Sequence, residues 1–195
     1  MNRSQKRQEA FSKVRSTQNK AIRATVAQDN PYLVDTTEYI AAKITGASSN
    51  FRITQTDGKL KVGLQSFSGD ALTAGEHMVI DCIKIEYANH IQSDNVKVGG
   101  AAYRKAAPAE LMNAELVIKH DSAEVLRMPV SDIHNPNATN SNADKYRELG
   151  HLPILEADRA FEISLEYPDG VAMKQAATAD DHFIRIEWRG FKLKK

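Results

Sequence analysis

The sequence predicts an all-β protein, an antiparallel β-sandwich, with a basic helical arm at its N-terminus. Three observations predict it. Apolar and polar residues alternate through a series of short runs, turn-forming residues stand between several of those runs, and the first 28 residues carry a charge opposite to the rest.

The arm comes first. Residues 1–28 hold Arg3, Lys6, Arg7, Lys13, Arg15, Lys20 and Arg23 against Glu9 alone, a balance of +6, while the remainder balances to −5. No Gly or Pro occurs before Pro31, and Gln, Lys, Arg and Ala dominate, so the segment is expected to be helical, with Ser4 as a cap. Phe11, Val14, Ala21 and Ile22 form an incomplete apolar stripe, interrupted by the polar run 15–20. A helix this weakly amphipathic is marginal in water and should order against a partner surface. Nucleic acid, an anionic membrane face and an acidic patch on another subunit are the candidate partners of those seven cations, and a frayed, solvated arm is the alternative.

The predicted domain boundaries are an arm at 1–31 and a sandwich at 32–195. Within the second, weaker strand signals near 39–45 precede two runs, 51–54 and 60–64, flanking Asp57-Gly58, a favoured hairpin pair. In 78–87, Ile83, Ile85 and Tyr87 fall on one face and Lys84 and Glu86 on the other. Runs at 116–119 and 125–130 lie on either side of Asp121-Ser122. Phe161, Ile163, Leu165 and Tyr167 alternate with Glu162, Ser164 and Glu166 before the turn Pro168-Asp169-Gly170, and Ile184, Ile186 and Trp188 alternate with Arg185, Glu187 and Arg189. One-faced alternation repeated over about seven or eight strands favours antiparallel sheets with one wet face. Two long loops, 89–108 and 134–150, interrupt them, and the second contains the sequon Asn137-Ala138-Thr139, read as coincidental.

Composition and motifs bound the chemistry. No apolar run is long enough to cross a bilayer, and no secretory leader follows the N-terminal charges. The single cysteine, Cys82, forms no intramolecular disulfide and is expected to be an inert core thiol. His77, His90, His120, His134, His151 and His182 have no metal-ligand spacing, so no metal or cofactor is expected; Asp180-Asp181-His182 reads as a capped loop end. Ser131-Asp132-Ile133-His134 lacks a nucleophile elbow, Glu156 and Asp158 form an acidic pair, and Glu162 and Glu166 are expected to make cross-strand ion pairs beside Arg185 and Arg189. The reading is therefore non-enzymatic.

The segments Leu152-Pro153-Ile154-Leu155, Ala160-Phe161-Glu162-Ile163-Ser164-Leu165-Glu166-Tyr167-Pro168 and Phe183-Ile184-Arg185-Ile186-Glu187-Trp188-Arg189-Gly190 resemble the last strands of bacteriophage virion proteins built as sandwiches or jelly rolls. The resemblance implies a capsid, vertex or decoration subunit, made in a host cytoplasm, packing against copies of itself or other shell proteins. Two further functions are weighed: a carbohydrate- or receptor-binding sandwich using loops 89–108 and 134–150, and a hydrolase assembled from distant loop residues.

Overall fold

A computed structural model describes residues 2–27, 31–55, 60–136, 145–157, 159–173 and 180–194. It contains two antiparallel sheets and a short N-terminal helical pair, so the predicted all-β sandwich class stands. Strands β1 (Tyr32–Lys43), β2 (Asn50–Arg52), β3 (Met78–Ile91), β4 (Glu115–His120), β5 (Ala123–Pro129), β6 (Arg147–Glu148), β7 (Ile154–Leu155), β8 (Phe161–Glu166) and β9 (Asp180–Lys194) follow in chain order. The larger sheet runs β1-β9-β3-β6, with β7 also on β3, and the smaller runs β2-β8-β4-β5.

The core lies between the sheets. Ile83, Ile85 and Tyr87 of β3 and Ile184, Ile186 and Trp188 of β9 meet Leu116 and Ile118 of β4 and Phe161, Ile163 and Leu165 of β8. These are the positions that period-two alternation assigns to one face. The ring of Trp188 meets Phe161 edge-on at 6.4 Å, a favoured aromatic geometry.

β1 and β9 are longer than the sandwich they close, and their far ends are buried on the opposite face. Leu33 of β1 and Phe191 and Leu193 of β9 join Val79 and Leu152 in a second apolar cluster, covered by Ala10, Val14 and Ile22. Those last three belong to helices α1 (Arg3–Ser16) and α2 (Lys20–Val26), which pack against each other and over the larger sheet. The sequence predicts an arm that orders against a partner surface. The structure instead folds it back on its own sheet, because Lys6, Ala10 and Val14 recur every four residues and form one buried stripe. A lysine and an alanine in that stripe hid it from an apolar count. The helix starts at Asn2 rather than Ser4: Asn2 and Gln5 form a reciprocal capping box.

Several expectations about strands change in detail. Residues 60–64 form turns rather than a strand, and β2 pairs β8 instead. The Asp57-Gly58 turn, the sequon Asn137-Ala138-Thr139 and Asp158 lie outside the described residues. The β4–β5 hairpin forms as expected, with Asp121 at φ 49° and Ser122 at φ 67°. β8 and β9 belong to different sheets, so Glu162 and Glu166 do not pair with Arg185 and Arg189. Glu166 takes Arg127 at 2.7 Å and Glu162 faces Arg52 at 3.8 Å, while Arg185 pairs Glu187 and Arg189 stacks on Tyr146. Ion pairing was legible; the partners required the strand order.

Candidate assembly interface

The geometry begins at a bulge. Register between β3 and β9 slips between Ile80 and Cys82, which inserts Asp81 as an extra residue. Core-facing positions therefore run Met78, Ile80, then Ile83, and both Asp81 and Cys82 border the helix-covered face. The Asp81 carboxylate, buried there, receives Arg3 through Oδ2 and stands 3.1 Å from the Lys6 ammonium through Oδ1. Arg3 also meets Asp35 at 2.9 Å and lies 4.3 Å over the Phe191 ring; Lys6 also meets Glu148 at 2.8 Å. A cation in the first turn of a helix opposes the helix dipole, and the body's carboxylates offset that cost.

The electrostatics follow. Burial works against the Lys6 ammonium, yet Glu148 and Asp81 together hold its pKa above the usual value. Lys6 in turn pulls the Glu148 carboxyl below the usual range. Burial, with Asp81 adding to it, pushes the Cys82 thiol up to about 11, which suppresses its thiolate at neutral pH.

The seven predicted arm cations thus divide. Arg3 and Lys6 turn inward onto the chain's own acids. Lys13, its pKa lowered by burial, contacts His151 Nδ1 at 3.1 Å. Arg7 is exposed and donates to the Leu33 carbonyl, and Arg15 lies 4.4 Å over the Phe11 ring. Lys20 and Arg23 are exposed. Among the described residues, Arg7, Arg15, Lys20 and Arg23 have no acidic partner, so the helical pair presents a basic rim.

Beside Arg7 runs an open strand edge. Ala41 N–H donates to Leu64 and Tyr39 C=O accepts from Ser66, so the odd-numbered residues of β1 direct their backbone away from β9. β1 holds an unbroken register with β9 over its whole length, so Leu33, Asp35 and Thr37 direct theirs the same way. Among the described residues no strand pairs that edge between 32 and 38. Sequence reasoning missed this edge because alternation identifies faces, never which strand ends a sheet.

The other candidate residues have the following partners. Asp181 pairs Lys43 at 2.7 Å, an interaction that lowers its pKa, and His182 Nδ1 lies 2.6 Å from the Tyr87 hydroxyl. Backbone N–H groups of Ala157, Ala102, Glu156 and Ala107 donate to His77, His90, His120 and His134 respectively. Ser131, Asp132 and Ile133 lie in a single helical turn. Among the described residues no cluster of His, Cys, Asp or Glu could hold a metal ion, and no helix is long and apolar enough to cross a membrane. The chain matches no protein-family model and no curated protein.

Proposed function

We propose that this chain is a non-enzymatic structural subunit of a virion shell, a capsid, vertex or decoration protein that assembles with copies of itself through its sandwich body. The observation that carries the reading is the open β1 edge in a molecule that manages its other edges. The far edge of β3 is covered in succession by β7, β6 and a bridge from Lys105 to Tyr87. β5 is blunted by a register slip, by the charges of Glu124 and Arg127 and by Pro129, and β2 is only three residues long. An uncovered strand segment such as 32–38 of β1 is an aggregation hazard in a lone molecule and an asset in one built to associate. The likeness of the closing strands to phage virion sandwiches supports the virion form of the reading. Assembly through a detachable arm gives way to assembly through the body, with the docked helices forming part of the contacting surface.

The test is the native mass of the full chain by gel filtration with light scattering, at low and high salt. A defined oligomer or particle whose mass falls with salt supports the reading. A monomer at every salt and chain concentration overturns it.

A further inference from the structure

We propose that the β1 edge is a self-pairing site: two copies join antiparallel through residues 32–37, making one continuous sheet across a two-fold axis. This rests on the assembly reading above and names its contact. The backbone supplies the means. Asp35 and Thr37 present donors and acceptors outward on an unbulged strand, Leu33 presents its N–H with its carbonyl shared with Arg7, and the sequence Tyr-Leu-Val-Asp-Thr-Thr has neither lysine nor proline to discourage pairing.

The side chains select a second copy as the occupant. A two-fold antiparallel pairing of outward-directed positions sets Leu33 of one copy against Asp35 or Thr37 of the other. Arg7 is anchored at the Leu33 carbonyl, and Asp35, though 2.9 Å from Arg3 of its own copy through Oδ1, is exposed and can take a second cation. Directly across the seam, or diagonally one step along it, Arg7 of each copy then reaches Asp35 of the other. The edge thus has a cation, Arg7 of α1, at one end of the pairing segment and the Asp35 carboxylate at its middle, an arrangement complementary to itself only when reversed. A groove of about 560 Å³ flanks the edge, with Ser4, Arg7, Gln8 and Phe11 on its helical side and Tyr32 and Leu33 on its strand side. The outward side chains of an added strand would enter it, so α1 serves as a wall of the contact.

The experiment uses the full chain. Light scattering across a concentration series gives the mass, and amide hydrogen exchange gives the location. The expected result is a dimer, or a dimer-based oligomer, whose amides at residues 33–37 exchange at least ten-fold more slowly as concentration rises. Arg7→Glu and Asp35→Lys should each shift the dissociation midpoint at least ten-fold toward monomer, and the charge swap carrying both should restore association. Thermal melts confirm folding; should Asp35→Lys fail to fold, Arg7→Glu with the exchange data decides alone. An oligomer unaffected by Arg7→Glu, with no protection at 33–37, overturns this surface and leaves the assembly reading intact. A wild-type monomer at all concentrations overturns both.

Discussion

Asp81→Asn tests whether the basic helix is held by one buried carboxylate. Asparagine keeps the size and one acceptor while removing the charge. The Asp81 side chain is 3% exposed and that of Lys6 is 10%, whereas Arg3 and Glu148 are 44% and 70% exposed. Breaking a fully buried pair costs roughly 3–5 kcal/mol because the surviving charge is stranded. Here Lys6 keeps Glu148 and Arg3 keeps Asp35, both largely in water, so the expected loss is about 2 kcal/mol. For a chain of this length that is a melting point lower by roughly 4–8 °C. Glu148→Gln, on an exposed carboxylate of the same network, should cost no more than about 1 kcal/mol.

Cys82 provides a local assay. It shares the cavity beneath α1 with Arg3, Lys6 and Asp81, and its thiol is buried. Alkylation by iodoacetamide under native conditions should be slow in the wild type and at least ten-fold faster in Asp81→Asn. Adding Lys6→Met removes the stranded cation and should recover at least half of the lost stability. Equal losses from Asp81→Asn and Glu148→Gln would refute the claim that burial decides which carboxylate matters. An unchanged alkylation rate in Asp81→Asn would refute its role in docking α1.

Three further outcomes follow. A Cβ on Gly190 would stand 1.8 Å from the Val79 carbonyl oxygen and 3.1 Å from Ile80 Cα, both backbone atoms of β3, so Gly190→Ala should cost more than about 3 kcal/mol in urea denaturation; a loss below about 1 kcal/mol would mean that the β3 bulge relaxes freely. Ser122→Gly relieves a left-handed residue in the β4–β5 turn and should raise stability by roughly 0.5–1 kcal/mol, read from the urea midpoint. The Glu148 carboxyl is depressed below 4.5, so its contribution is present above that pH and lost as acid protonates it; Lys6 is raised above 10.5, so its contribution is present below that pH and lost beyond it. The wild-type urea midpoint should therefore fall at both extremes, and Glu148→Gln should flatten the acid side.

The fold was legible where burial is one-sided. Ile184, Ile186 and Trp188 announced β9 because only one face of that half is apolar, and Asp121-Ser122 announced the hairpin through turn chemistry. The same period-two pattern could not separate β8 from β9 by sheet, since it carries no information about neighbours across a ladder. The docking of α1 was hidden for another reason. Its buried stripe consists of Lys6, Ala10 and Val14, and the residue that draws Lys6 inward is seventy-five positions away on β3. The open β1 edge is likewise a property of topology, visible only once Tyr39 and Ala41 are seen bonding outward.

The charge division keeps its force although its direction has changed. A basic leader and an acidic body attract each other, and within one chain the effective concentration of each for the other is high. Arg3 and Lys6, set on the face of α1 that meets the sheet, find Asp81 and hold the helix down. Once it is down, Arg7 is held beside β1 at the Leu33 carbonyl instead of sweeping through solvent. A pre-organised Arg7 at a strand edge loses less entropy on meeting a carboxylate than the same residue on a frayed arm. Intramolecular docking of the leader is therefore compatible with the proposed assembly, in which it would hold Arg7 ready beside the β1 edge.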